Sequence, residues 1–351
     1  MVNRFGISRG VSPRETFDQV AEIAKKVEVN GFEALWFIDH QLGIKDVYAA
    51  MNVSAMATEK IHIGSAVTNL QTRHPTVTAN ATTSLDDLSK DRAMLGIGAG
   101  WVALHSIGKM PDRLGTMRQG INEFRQLFSG EEVELYGTKV RLATARRQVP
   151  IYLAVSQPGM LRLSGEICDG AIVMGGADPE FCNWQLEYIY EGLEKAGRQR
   201  SDLIIDIVVT MSINDEEEKA LNDVRAWATS QAATFAVWKK VPPAWERFRG
   251  DFTRAEKAYH YEEHLSLRAE HKQIVSQEFV ESVTISGNFE KCIAKLREVA
   301  KLDFDRITFA LLSGGRFRRL EELGTKVIPA LIEKKLPQLL VHRNKIGKKG
   351  T

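Results

Sequence analysis

The sequence predicts an α/β fold of one kind: a closed (β/α)8 TIM barrel with a helical insertion between its seventh and eighth strands. Three observations predict it. Eight short apolar runs alternate with stretches of helical periodicity along 351 residues, which is the arithmetic of eight strand–helix units. Several of those runs, "EALWFI", "VPIYLAV" and "LIIDIVVTMSI" among them, are apolar nearly throughout, as strands covered by helices require. Polar or glycine-containing signatures follow run after run, where a barrel gathers the groups that meet a ligand. A doubly wound open sheet would instead declare an early Gly-rich phosphate loop. "GIGAG", 96–100, is not GxGxxG, and no acid ends a next strand about twenty residues on, so it fails as a dinucleotide fingerprint.

The elements follow in order. "RFGISRG" is the first strand. "SPRETFDQVAEIAKKVEVNGF" is its helix, with Ser12 as the expected cap, Pro13 at the first helical position and Glu15 three residues after the cap. Phe17, Val20, Ile23, Ala24 and Val27 repeat at helical spacing, and Gly31 ends the run. "EALWFI" is the second strand. A helix over 47–58 leads into "KIHIGSAV", and one over 75–88 into "AMLGIGAG". "RLGTMRQGINEFRQLF" is helical, followed by a polar, turn-rich segment over 129–147. "VPIYLAV" with the helix "QPGMLRLSGEIC", then "GAIVMGG" and "LIIDIVVTMSI", supply strands five to seven. From about 216 to 280 no strand is convincing, and Trp227, Phe235, Trp238, Trp245, Phe248, Tyr259 and Tyr261 crowd this insertion. "SGNFEKCIAKLREVAKLDF" resumes with a capped helix, and "RITFALLS" is the eighth strand. One barrel domain over 1–340 and a basic tail over 341–351 are expected.

Composition bounds the chemistry. Apolar residues are 44% and charged residues 26% of the chain, and 47 basic against 45 acidic side chains leave a formal charge of +2. That is a globular composition, with no field to attract nucleic acid or an anionic membrane. Cys168, Cys182 and Cys292 form no CxxC pair and no zinc-like spacing. No secretory signal or membrane-length apolar run is present, so a reduced cytoplasm is the expected location.

"LWFIDH", 35–40, ends an apolar strand with an acid and an imidazole. Either Asp39 and His40 form an ordinary surface turn, or they stand on the barrel rim facing a ligand. On the rim, His40 can exchange a proton near neutral pH, while Asp39 fixes its tautomer or binds a hydroxyl. His105 lies in another rim loop. The other rim groups are Ser8 and Arg9, "SAVTN", "GAGW", "SQPG", "GGAD" and "SGGR". Their glycines either permit tight strand–loop packing or leave room for a flat ligand against exposed amides. There is no GxSxG elbow, no HExxH and no local carboxylate pair for glycoside hydrolysis. A glycine-lined mouth with few nucleophiles suits a bound organic cofactor that carries the chemistry.

At these residues the chain resembles the bacterial luciferase-like superfamily, and within it the deazaflavin-dependent reductases of the methylenetetrahydromethanopterin reductase type. The resemblance rests on "GFEALWFIDH", "IHIGSAVTNLQTRHPTVTANATTSLDDLSKDRAMLGIGAG", "RLGTMRQGINEFRQLFSGE" and "VPIYLAVSQPGMLRLSGEICDGAIVMGG". It implies a hydride-transferring oxidoreductase using coenzyme F420, with Asp39 and His40 beside the cofactor's central ring. It places Ser65 and Ala66 at a third-strand bulge with a non-prolyl cis peptide, followed by Thr68 and Asn69. Gly98, Ala99 and Gly100 would run along the cofactor. Ser156, Gln157, Pro158, Gly159 and Met160, with Gly175 and Gly176, would lie near its phosphate. Two segments depart from the family pattern: Trp101 stands where many relatives have an acid, and Gln157 and Gly159 replace a glycine and a lysine. The alternatives are an FMN-dependent monooxygenase served by a partner flavin reductase, and a barrel that binds flavin without turnover. The insertion can supply both a lid and a subunit contact, and a homodimer is the expected assembly. An apolar substrate pocket shared by Trp101 and part of 235–245 is expected beneath it.

Overall fold

The computed structural model describes residues 2–174, 176–258, 273–311 and 315–332. Eight parallel strands close a barrel: β1 (Arg4–Arg9), β2 (Ala34–Phe37), β3 (His62–Ser65), β4 (Ala93–Ile97), β5 (Ile151–Val155), β6 (Gly170–Val173), β7 (Ile204–Val209) and β8 (Arg306–Ala310). Each strand pairs with its neighbour in sequence, and β8 returns to β1 with Arg306 opposite Arg4 and Ala310 opposite Ser8. The (β/α)8 barrel expected from the alternating runs is therefore the fold.

Alternate strand residues face opposite layers. Ile7, Leu35, Phe37, Ile63, Leu95 and Ile97 pack outward under the helices. Ala34, Trp36, Met94, Tyr152, Ile172 and Val208 fill the barrel interior. Gly64 is what the Trp36 ring demands, since a Cβ there would stand 2.6 Å from the indole.

The first helix, α1 (Phe17–Val29), is capped by Thr16 and not by Ser12. The Gln19 amide donates to Thr16 Oγ1 (3.2 Å) and the Thr16 amide donates to the Gln19 side chain (2.9 Å), a complete capping box. Residues 12–15 stay in a turn, and Glu15 turns inward to a buried ion pair with Arg9. That tertiary pair overrides the local Ser12–Glu15 pattern.

Helices α2 (Val47–Ala57) and α3 (Pro75–Ser89) follow β2 and β3, and a short α4 (Val102–His105) precedes α5 (Leu114–Ser129). α6 (Pro158–Ile167) and α7 (Pro179–Lys195) follow β5 and β6. The turn-rich segment after α5 holds an antiparallel hairpin, Glu132–Leu135 with Thr138–Arg141. A strand pair, Met211–Ile213 with Ile285–Gly287, lies outside the barrel. Both pairs use strands of three or four residues, too short to show a period.

Between those last two strands lie α8 (Glu217–Phe235), a 3-10 helix at Pro243–Phe248, α9 (Arg249–Ala258) and α10 (Gln277–Val283). Phe235, Trp238, Trp245, Phe248, Phe252 and Phe279 gather there with Phe181 in a second aromatic core. The Phe181 and Trp245 rings stack with centroids 4.0 Å apart. Tyr259, Tyr261 and the tail at 341–351 lie outside the described residues. The described residues close with α11 (Phe289–Ala300), then β8, α12 (Arg316–Glu322), a π-helical stretch at Leu323–Val327 and α13 (Ile328–Ile332). Among the described residues, no helix is long and apolar enough to cross a membrane.

Candidate active site

The C-terminal strand ends surround an open mouth of about 1460 Å³, ample for a cofactor and a substrate together. Ala66, Val67, Ala154, Ile172, Val208 and Ala310 make its floor, and Asp39, His40, Asn69, Asp112, Ser156 and Arg316 stand among its walls. The insertion covers one side through Trp227, Ser230, Gln231, Thr234, Phe235 and Trp238 on and after α8. Trp101 lines the same space, its ring edge-on to His105 at 4.5 Å. The shared pocket expected for Trp101 and the 235–245 segment thus includes Phe235 and Trp238. Trp245 is fully buried in the helical core and takes no part.

Asp39 and His40 differ in how they are held. Asp39 is buried and accepts from Thr68 Oγ1 (2.8 Å) and from Arg73 through both terminal nitrogens, Nη2 at 3.3 Å. Burial works against the Arg73 charge, but the hydrogen bond and charge of Asp39 outweigh it, so the Arg73 pKa is raised. His40 accepts the Gly43 amide at Nδ1 (2.9 Å). A neutral ring so engaged carries its proton on Nε2.

The third-strand bulge lies one residue further than the resemblance placed it. The cis peptide joins Ala66 to Val67, and these two residues lie on the floor. Ser65 and Thr68 sit beneath: Ser65 Oγ donates to the Gly96 carbonyl (2.7 Å) and Thr68 reaches Asp39. Asn69 Oδ1 accepts the Gln71 and Thr72 amides, both at 2.9 Å.

The glycines of "GIGAG" answer first to packing. A Cβ on Gly96 would stand 1.8 Å from the Ser65 carbonyl oxygen, and one on Gly98 2.7 Å from Val67. Gly98, Ala99 and Gly100 nevertheless line the mouth, as do Ser156, Gln157, Gly159 and Met160. Gln157 begins α6 without a side-chain cap, leaving first-turn amides without intrahelical partners. Gly176 is buried against Val283 and stands outside the mouth lining. Gly175 lies outside the described residues.

Asp112 is the group that the sequence did not single out. Its amide donates to the Ala99 carbonyl (2.8 Å) and its Oδ1 accepts from Gln71 Nε2 (3.0 Å). Its Oδ2 is buried and has no partner among the described residues. Burial raises the carboxyl pKa, against the Gln71 hydrogen bond and the Lys109 charge. A carboxyl in a ligand cleft with a raised pKa and an unpaired oxygen is a candidate proton carrier. It stands in the same mouth as Trp101.

Below the floor, Trp36 Nε1 donates to Asp206 Oδ2 (3.0 Å), and Arg306 Nη1 reaches the same oxygen (3.2 Å). Burial pushes the Asp206 pKa up, with Arg306 opposing. This pair is sealed inside the barrel and fixes the indole under the mouth. The three cysteines are buried, and burial raises the Cys168 thiol to about 12. Among the described residues, no cluster of His, Cys, Asp and Glu could hold a metal ion.

The site thus sits on a closed (β/α)8 barrel, with a cis peptide after the third strand and an acid–imidazole pair after the second. The profile of the luciferase-like monooxygenase family matches residues 2–306, and the chain belongs to that family. It is 32% identical to a 5,10-methylenetetrahydromethanopterin reductase of Methanolobus tindarius over 59% of this chain and 65% of that one. It is 27% identical to the enzyme of the same name from Methanopyrus kandleri over 93% and 97% of the two chains. An F420-dependent glucose-6-phosphate dehydrogenase of Nakamurella multipartita is 28% identical over 60% and 68%. The solved coenzyme F420-dependent tetrahydromethanopterin reductase of Methanopyrus kandleri superposes with a TM-score of 0.76 at 24% identity, covering 94% of this chain and all of that one.

Proposed function

We propose that this chain is an oxidoreductase that moves a hydride between coenzyme F420 and a small organic substrate bound under the insertion. The observation that carries this reading is the composition of the mouth: an apolar floor of small side chains bordered by Asp39, His40 and Asp112. A flat ring fits that floor, and the uncapped start of α6 with Ser156 offers donors to a phosphate. The similarity to enzymes named for coenzyme F420 supports the same cofactor. When bound, a deazaflavin supplies hydride transfer.

The remaining work falls to side chains of this chain. Arg73 and Thr68 hold Asp39, which orients the ligand. His40 presents Nε2–H to the substrate oxygen as donor and proton source, and Asp112 relays to the site the proton that must follow a hydride. The insertion walls one side of the mouth. Titrating the purified protein with coenzyme F420 and with FMN tests the assignment: tighter binding of coenzyme F420 is expected, and preference for FMN overturns it.

A second reading, an FMN-dependent monooxygenase fed by a flavin reductase, draws support from the resemblance, which puts Trp101 where many deazaflavin-dependent relatives have an acid. Oxygen uptake coupled to substrate oxidation supports that reading. Stoichiometric hydride transfer without oxygen counts against it.

A further inference from the structure

The mouth has one edge that none of the residues discussed so far explains. Arg316 is the sole Lys or Arg among the described residues that line it, and Ser8, Gly10 and Ser12 line it on either side of Arg9 in sequence. Arg316 Nη1 donates to Glu15 Oε2 (2.7 Å), and Arg9 Nη2 donates to both oxygens of the same carboxylate. Two guanidiniums therefore share one carboxylate, leaving a net charge of +1 on the three side chains.

The hydrogen bonds are left equally incomplete. Arg9 is fully buried, yet among the described residues its Nε and Nη1 have no partner, and Arg316 Nε is also buried without one. Buried donors without acceptors are costly, more so when charged. Burial lowers the Arg9 pKa; Glu15 opposes the shift and Arg316 adds to it. A triad built only to brace β1 against β8 would close its donors on itself. This one keeps a surplus of positive charge, and of its members Arg316 lines the mouth and is partly exposed.

We propose that Arg316, held in place by Glu15 and Arg9, binds an anionic group, a carboxylate or a phosphate, on a molecule seated in the mouth. Placement supports a ligand that spans the mouth. In the closed ring of eight strands, β1 stands four strands from β5, so this edge faces the Ser156–Gln157 side directly across the barrel. A molecule anchored at the start of α6 and lying over the floor reaches Arg316 with its far end, or brings a second molecule's anion there. Arg suits the task because its planar fork matches a carboxylate or phosphate. The inference rests on the reading above only in taking the mouth as the ligand site.

Calorimetric titration of the full-length, cofactor-free protein with benzoate, with benzamide as the neutral match, tests it. Benzoate is expected to bind more tightly than benzamide. Arg316→Gln should weaken benzoate by about 10- to 100-fold and leave benzamide unchanged, with Arg316→Lys recovering part of the loss. Equal binding of the two probes by the wild-type protein, no benzoate binding, or an Arg316→Gln variant with unchanged benzoate affinity each overturns the proposal. Competition then names the source of the anion. Displacement of benzoate by coenzyme F420 but not by its chromophore lacking the phosphate-bearing tail assigns the site to that tail. Displacement by neither assigns it to the substrate.

Discussion

The Gly43 amide donates to His40 Nδ1 at 2.9 Å. That bond decides what the imidazole can do. With Nδ1 occupied, the neutral ring offers Nε2–H to the mouth as a donor, and Asp39, engaged by Arg73 and Thr68, does not orient it. His40→Gln keeps a hydrogen-bonding group but removes the titratable ring. Turnover should fall by roughly 10²- to 10⁴-fold with cofactor affinity little changed. Single-turnover hydride transfer across pH measures this, and a variant keeping both rate and pH profile removes His40 from the mechanism.

The same contact makes Gly43 a positioning residue. A Cβ there would stand 2.9 Å from His40 Nδ1 and 3.3 Å from Cε1, closer than real methyl contacts allow, so Gly43→Ala must push the ring aside. The expected result is a kcat about 10-fold lower with the melting temperature little changed, because the loop is on the surface. A variant as active as wild type shows that the loop absorbs the added Cβ or that the position of the ring does not limit turnover.

Asp39 belongs to a different unit. Arg73→Ala removes the ion pair and leaves the Asp39 carboxylate buried, with Thr68 as its remaining partner among the described residues. Stability should drop by about 1–3 kcal/mol, read from urea unfolding. Asp39→Asn retains an acceptor for Thr68 but loses the charge that holds Arg73. It should weaken cofactor binding, with slower turnover as a consequence. Loss of turnover at unchanged affinity would falsify the division of labour between Asp39 and His40.

The barrel was legible because its strands are apolar runs whose helices carry their own spacing, so local pattern and global fold agree. Asp39 and His40 were legible for a related reason: they end a strand, and strand ends are where a barrel places ligands. What escaped depends on contacts between distant segments. Nothing local in "SPRETF" says that Glu15 pairs with Arg9 and leaves Thr16 to cap. The insertion's aromatic residues share one composition, yet Trp238 reaches the mouth and Trp245 the helical core. The glycines of "GIGAG" were read as serving either packing or a ligand. Gly96 and Gly98 meet the third-strand bulge so closely that packing alone requires them.

Asp112 escaped because "MPDR" has the look of a surface turn. It enters the mouth only through α4, which turns the chain back so that its amide meets the Ala99 carbonyl. If it carries the proton, its raised pKa sets the sign of the pH dependence. In the direction that consumes a proton, the protonated carboxyl is the active form, so turnover falls as pH rises through that raised value. In the reverse direction the carboxylate is active, and turnover rises over the same interval. Asp112→Asn holds the Gln71 hydrogen bond but cannot exchange a proton. It should remove this limb from both profiles and lower turnover by about 10²-fold. Steady-state rates in both directions, measured over acidic pH, check this. A limb that survives the substitution belongs to another group, and Asp112 is then a brace between the third- and fourth-strand loops.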